Sequence, residues 1–80
     1  MSWDQIDKNE FAEWLMNMRT AAGLTKKEMA AKTGVSSQMY GRYENPELQS
    51  MPDDLFVYMR TVRETCLPII RAKRGAANGP

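Results

Sequence analysis

Histidine is absent from this chain of 80 residues, and cysteine occurs once, at Cys66. Histidine is the most common general base and a frequent metal ligand, so its absence argues against many catalytic and metal sites. The single cysteine has no candidate base, and we expect a buried or incidental thiol rather than a nucleophile. Glycine-rich phosphate loops and cysteine clusters with metal spacing are also missing. The sequence therefore predicts a protein that is not an enzyme and that uses no metal and no cofactor.

Long apolar runs are missing as well. No stretch approaches the roughly 18–20 apolar residues of a membrane span, and the acidic start of the chain does not resemble a signal peptide. We expect no membrane partner, and the lone cysteine favours a reducing cytoplasm. A hydrophobic content of 42 % and two tryptophans indicate one packed domain with a modest core.

Charge is unevenly distributed, although the formal net charge is only +1. Acidic residues dominate positions 1–16, whereas basic residues dominate positions 17–44 and 60–74. A nearly neutral total can therefore conceal a basic face of the kind that nucleic acid requires. A solvated, lysine-rich surface is the alternative interpretation.

Helical periodicity runs through the chain, and no strand-like alternation of useful length appears. Residues 7–22 are predicted to form an amphipathic first helix that Gly23 ends. The spacing of Thr25 and Glu28 is that of a capping box, which predicts a second helix from residue 26 to about residue 33.

A second glycine, Gly34, then predicts an abrupt end to that helix. Ser36 is the expected N-cap of a third short helix over residues 37–44, with Val35 and Tyr40 packed together beside it. Two short helices joined by so tight a turn form a helix-turn-helix, here over residues 25–44.

Proline marks the next boundaries. Pro46 prevents the third helix from continuing, and Pro52 suits the first turn of a fourth helix, with Asp53 and Asp54 favourable at its positive end. The apolar face of that helix is predicted to consist of Leu55, Phe56, Met59 and Val62. Because Pro68 interrupts the following apolar piece, residues 65–74 form either a last helix or an extended segment.

The segment from about Phe11 to Val62 resembles the Cro/repressor class of helix-turn-helix proteins, which occur in phages and bacteria. The matching residues are Arg19 in the first helix, the stretch GLTKKEMAAKTGVSS through the turn, and YEN at the end of the third helix. The resemblance implies an all-α, lambda-repressor-like DNA-binding domain of four to five helices. We expect this single domain to occupy residues 1–74, followed by a disordered tail over residues 75–80.

The resemblance also implies a pair between the arginine of the first helix and the acidic residue that ends the third, here Arg19 and Glu44. We interpret this pair as a structural brace, with direct DNA contact by Arg19 as the alternative. Tyr40 and Tyr43 occupy positions where the family usually has aliphatic core residues. Two tyrosines imply either a larger pocket beneath the third helix or hydroxyls that reach the surface.

An α-helix fits the major groove of B-DNA, and only its leading end and outer face reach the bases. With the tyrosines facing inward, the residues expected to contact bases are Ser37, Gln38, Gly41 and Arg42. Glutamine can pair bidentately with adenine and arginine with guanine. The glycine either permits close backbone approach or is simply tolerated.

Phosphate contacts are expected beside this face. Backbone N–H groups at the start of the second helix form an anion site together with two lysines. The candidate phosphate contacts are Thr25, Lys26, Lys27, Ser36 and Asn45, the last by family resemblance. We interpret Lys32, on the far side of the second helix, as a solvated residue.

These observations favour a sequence-specific regulator that binds double-stranded DNA, with a repressor of phage or bacterial origin as the preferred interpretation. It is expected to bind a palindromic operator as a homodimer, without a small-molecule effector. The dimer candidates are Leu67, Ile69 and Ile70, unless these residues only close the core of the monomer. An antitoxin or a restriction-system controller is the alternative within DNA binding, and a protein-interaction module is the alternative from another class.

Overall fold

The computed structural model describes residues 8–48 and 50–78, and within them it confirms the all-α prediction. The described part contains four α-helices and one 3₁₀ turn. In chain order these are α1 (Lys8–Ala22), α2 (Lys26–Thr33), α3 (Ser37–Tyr43), the 3₁₀ turn (Pro46–Leu48) and α4 (Leu55–Asn78). The long helix α4 packs along α1 and also touches α2, while α2 and α3 pack on each other.

The start of α2 is fixed by the capping box that the sequence predicts. The Thr25 hydroxyl accepts a hydrogen bond from the Glu28 N–H at 3.1 Å, and the Thr25 N–H donates to Glu28 Oε1 at 3.0 Å. Each bond satisfies a donor that the helix start would otherwise leave without a partner. The bounds of α2 agree with the prediction.

The turn between α2 and α3 depends on Gly34, whose φ of 77° lies in the left-handed region that favours glycine. This conformation lets the Val35 N–H bond the Ala30 carbonyl at 3.0 Å. Ser36 then caps α3 by accepting a hydrogen bond from the Met39 N–H at 3.0 Å. Two helices therefore cross within three residues of connecting chain.

The core lies between α1, α4 and the helix-turn-helix. Its most deeply buried large side chains are Phe11, Leu15, Met29, Tyr40, Val62 and Cys66. The thiol of Cys66 is buried with its sulfur 3.7 Å from the Met29 sulfur, and burial raises the pKa of that thiol. The expectation of a buried cysteine is confirmed.

The beginning of α4 differs from the prediction. The cap is Asp54, whose side chain accepts a hydrogen bond from the Val57 N–H at 3.1 Å, so Pro52 precedes the helix instead of occupying its first turn. The predicted apolar face was wrong at Phe56, which is 52 % exposed, while Tyr58 is 7 % exposed and faces the core. The helix is rotated so that Tyr58 faces the core, because the Tyr58 hydroxyl bonds a buried partner, Thr33, at 3.0 Å.

The later part of α4 resolves the alternative at residues 65–74 in favour of a helix, which contains Pro68 in its interior. A proline in that position removes one backbone hydrogen bond and crowds the preceding turn. The helix persists because Ile69 and Ile70, directly after the proline, pack against the core.

The end of α4 also extends beyond the predicted domain. The helix includes residues 75–78, where the sequence predicts the start of a disordered tail, and residues 79–80 lie outside the described part. Near this end, the Lys73 ammonium lies against Gly23, the glycine that ends α1. A cation is favourable there because the carbonyl end of a helix is partially negative. No helix in the described ranges is long and apolar enough to cross a membrane.

Candidate nucleic-acid interface

The outer face of α3 presents the four residues that the sequence assigns to base contacts. Ser37, Gln38 and Arg42 are exposed, and Gly41 is half-buried beside them. The opposite face is anchored by Tyr40 and Tyr43, which are both buried.

Gly41 itself is not required by the fold. A Cβ atom at this position would find no neighbour within 4 Å, and its backbone has an ordinary helical conformation. Glycine in a helix is less stable than alanine by up to about 1 kcal/mol. Its presence on an open helix face is therefore compatible with close approach of another molecule or with simple tolerance, the two alternatives that the sequence leaves open.

Met39 also belongs to the exposed surface of α3, although it is not among the residues that the sequence predicts to contact bases. Its side chain is 41 % exposed between Gln38 and the core face. Apolar side chains can contact the methyl group of thymine in the major groove. With Tyr40 and Tyr43 facing inward, the sequence-based prediction assigned Met39 to neither face of the helix.

The start of α2 forms a second exposed polar surface. The N–H groups of Lys26 and Lys27 lie in the first turn of the helix and have no acceptor within it, because the capping box serves the N–H groups of Thr25 and Glu28. Both lysine side chains are exposed. The positive end of the helix dipole and two ammonium groups thus lie together, a favourable arrangement for an anion.

The N-cap residues of α2 and α3 can contribute hydrogen-bond donors to the same surface. The hydroxyls of Thr25 and Ser36 accept hydrogen bonds from Glu28 and Met39, respectively, which leaves each hydroxyl proton free to be donated. Both residues are exposed. Each hydroxyl can therefore cap its helix and donate to a phosphate oxygen at the same time.

Asn45 follows α3 directly. Its Oδ1 accepts a hydrogen bond from the Glu47 N–H at 3.0 Å, and its backbone N–H donates to the Arg42 carbonyl at 3.2 Å. The side-chain NH₂ group makes no hydrogen bond with any residue that the structure describes, and the residue is exposed. This amide group is a positioned donor at the end of α3.

Arg19 and Glu44 form an ion pair behind this surface. The Arg19 Nε lies 2.7 Å from Glu44 Oε2, and a second nitrogen donates to the Leu24 carbonyl at 2.9 Å. The hydrogen bond to Glu44 raises the pKa of Arg19. With side-chain exposures of 14 % and 3 %, the pair lies largely inside the protein. The geometry joins α1, the chain before α2 and the end of α3.

The tyrosines of α3 lie in the core beneath that face. The Tyr40 hydroxyl does not reach the surface and has no hydrogen-bond partner among the described residues, although the Glu44 carboxylate lies nearby. Burial raises the pKa of Tyr40, and the nearby carboxylate raises it further. Tyr43 packs edge to face against Tyr58, with ring centroids 5.3 Å apart. An aromatic cluster therefore fills the pocket under α3.

The three dimer candidates occupy different surroundings. Ile69 and Ile70 are partly buried against the core of the monomer. Leu67 is partly buried too, but it lies on the outward side of α4 between arginine side chains. The core of the monomer therefore accounts for much of the apolar surface of the two isoleucines.

Comparison with known proteins gives one match. A family model described as helix-turn-helix matches residues 15–54, which is half of the chain. The matched segment begins within α1, includes α2 and α3, and ends at the cap of α4. No curated protein and no solved structure gives a significant match.

Proposed function

Because the chain belongs to the Cro/repressor-type helix-turn-helix family of DNA-binding transcription regulators, we propose that it is a repressor that binds a palindromic operator as a homodimer. Members of this family are typically not enzymes. We further propose that the protein acts in the cytoplasm and uses no small-molecule effector.

The observation that carries this proposal is the division of α3 into two faces. Two buried tyrosines hold one face, while Gln38 and Arg42 extend from the other into open space. Amide and guanidinium groups are the side chains that pair bidentately with adenine and guanine in the major groove. Ser37 and Met39 add a hydroxyl and an apolar group at the leading end of the same helix.

The proposed phosphate contacts lie around this face. Lys26 and Lys27 supply charge and backbone N–H groups at the start of α2, Thr25 and Ser36 supply hydroxyls, and Asn45 supplies an amide donor. Such contacts position a protein on the duplex without reading its sequence.

A homodimer follows from the length of DNA that one helix reads. A single recognition helix contacts only about 4–6 base pairs, by the size of a half-site, whereas two copies related by a two-fold axis read two half-sites about 34 Å apart. The proposed contact uses the half-exposed edges of Ile69 and Ile70. Leu67 is less suited to it because the arginines beside it oppose a second copy.

Selection of bound duplexes from a random DNA pool tests the proposal. We expect enrichment of a palindrome with half-sites one helical turn apart, bound with an affinity that falls as salt rises. No enrichment and no salt-dependent binding to random duplex would instead favour a protein-interaction module.

The sign of regulation needs a separate measurement. A reporter gene whose promoter contains the selected palindrome should be expressed less when the protein is present. The variant Arg42→Ala is the matched control, since it alters a proposed base contact and should restore expression. Increased expression with the unaltered protein would contradict a repressor.

A further inference from the structure

A row of arginines lies on the outward side of α4, outside residues 15–54 that the helix-turn-helix family model matches. Its members are Arg60, Arg63, Arg71 and Arg74, all exposed, and we call this surface the arginine face. The only acidic side chain among them is Glu64. Within residues 8–48 and 50–78, none of the four arginines forms a hydrogen bond or an ion pair. The fold therefore leaves this surface with a net positive charge, since one glutamate lies among four arginines.

An apolar groove runs through the arginine face. Its volume is about 410 Å³, and Leu67 and Pro68 lie in it between Arg60 and Arg63 on one side and Arg71 on the other. These residues recur at helical spacing on one side of α4, so the groove follows the helix axis. Surfaces that combine arginines with apolar side chains are typical of the centres of protein interfaces.

Pro68 adds an acceptor to this groove. In an α-helix the carbonyl of residue i bonds the N–H of residue i+4, and proline has no N–H. The Glu64 carbonyl therefore lacks its helical donor. Its oxygen is left for a donor from outside the helix, next to the apolar side chains of the groove.

We propose that the arginine face binds an acidic amphipathic helix of a partner protein. The carboxylates of such a helix pair with the guanidinium groups, since arginine and carboxylate form two parallel hydrogen bonds. An apolar side chain of the partner occupies the groove above Leu67. The distance from Arg60 to Arg71 along the axis is about 16 Å, which a partner helix of about three turns spans.

Two other binding partners, a second copy of α4 and a DNA backbone, fit this surface less well. A second copy of α4 on this surface would place arginines against arginines, with one glutamate per chain to compensate. A DNA backbone would satisfy the charge, but it offers Leu67 and Pro68 only the small carbon surfaces of deoxyribose and no aliphatic side chain. An acidic helix satisfies both parts of the surface.

The test uses the full chain and a labelled synthetic peptide. The peptide is a helix of about four turns with glutamates spaced to face the arginines and one central leucine, and its comparison is the same composition in scrambled order. Fluorescence anisotropy at low and moderate salt should show tighter binding of the ordered peptide. The double variant Arg63→Glu, Arg71→Glu should weaken that binding by at least about tenfold.

The matched control is Lys32→Glu, which makes the same type of charge change at an exposed position on α2. It should leave binding of the ordered peptide unchanged, while thermal melting verifies that all variants are folded. Equal binding of the two peptides, or an equal loss in Lys32→Glu, would overturn the proposal.

Two further measurements distinguish an acidic helix from DNA and from a second copy of the chain. If the double variant loses affinity for random-sequence duplex as strongly as for the peptide, the arginine face is a DNA contact and the proposal is wrong. If sedimentation shows that the double variant abolishes self-association, a second copy occupies the groove and the proposal is also wrong. Retained DNA binding and an unchanged oligomeric state, together with lost peptide binding, support it.

Discussion

Arg19 holds the carboxylate of Glu44 through two hydrogen bonds, at 2.7 Å to Oε2 and 3.3 Å to Oε1. A third bond from the same guanidinium reaches the Leu24 carbonyl at 2.9 Å. Because Glu44 caps the end of α3 and Leu24 precedes α2, one side chain fixes both helices of the helix-turn-helix to α1. The orientation of the proposed DNA-binding face therefore depends on a contact that lies behind it.

Replacing Arg19 with alanine should destabilise the fold. The Glu44 side chain is only 3 % exposed, so the substitution leaves a buried carboxylate without its partner. Such a loss costs roughly 3–5 kcal/mol of unfolding free energy. Urea denaturation measures it, with the exposed Arg63→Ala as a control that should shift stability by less than about 0.5 kcal/mol. Equal stabilities of the two variants would contradict the brace.

Arg42→Ala should weaken specific DNA binding by about 1–3 kcal/mol and relax the preference at one base position. The reason is the exposed position of Arg42 on the outer face of α3. Anisotropy titrations with the selected palindrome and with random duplex measure both effects. A loss of the same size on both duplexes would assign Arg42 to phosphate.

Lys26→Ala should weaken binding to every duplex by a similar factor and lower the salt dependence by about one unit per subunit. The cause is the loss of one phosphate-neutralising charge at the start of α2. Titrations over a range of salt concentrations give the slope. Lys32→Ala is the matched control. A slope that falls equally in both variants would show that Lys26 contributes no more to phosphate binding than Lys32 does.

Alkaline pH should destabilise the protein through its buried tyrosines. Burial raises the pKa of Tyr58 to about 12 from an ordinary value of 10.0, and it also raises those of Tyr40 and Tyr43. Below the ordinary value, tyrosine is neutral in both the folded and the unfolded chain, and stability is unaffected. As the pH rises beyond it, the unfolded chain ionises first, so stability falls, by up to about 2–3 kcal/mol for Tyr58.

Urea denaturation from about pH 9 to about pH 11.5 measures this fall. Tyr58→Phe should have a shallower pH dependence, because it removes one of the four buried groups with a raised pKa, the others being Tyr40, Tyr43 and Cys66. The variant should also lose about 0.5–1.5 kcal/mol at neutral pH, since the hydrogen bond to Thr33 disappears. An unchanged pH dependence would show that the Tyr58 hydroxyl ionises as easily in the fold as in the unfolded chain.

Local signals made part of this fold predictable. The capping box of Thr25 and Glu28 and the glycine at position 34 fix α2 through contacts within a few residues, so the sequence predicts its bounds correctly. Helix α4 was harder because distant contacts determine it. Tyr58 faces inward to bond Thr33, and the residues after Pro68 stay helical because the core holds them. Neither contact is visible in the local pattern.

The same distinction applies to the candidate interface. The outward position of Gln38 and Arg42 follows from helical periodicity once Tyr40 is known to face inward. Met39 was not assigned to either face, and its 41 % exposure is a finding of the structure.

Substitutions at Ile70 and Leu67 distinguish a core contact from a dimer contact at the end of the domain. Ile70 packs against the core cluster, whereas Leu67 lies in the groove of the arginine face. An aspartate at position 70 would bring a carboxylate into apolar surroundings, which costs at least about 1–3 kcal/mol even when part of the group remains hydrated. Ile70→Asp should therefore lower the melting temperature clearly, and Leu67→Asp should change it little. If Ile70→Asp melts as the unaltered protein does but binds the palindrome only at higher concentration and as single protomers, the side chain serves the dimer instead of the core.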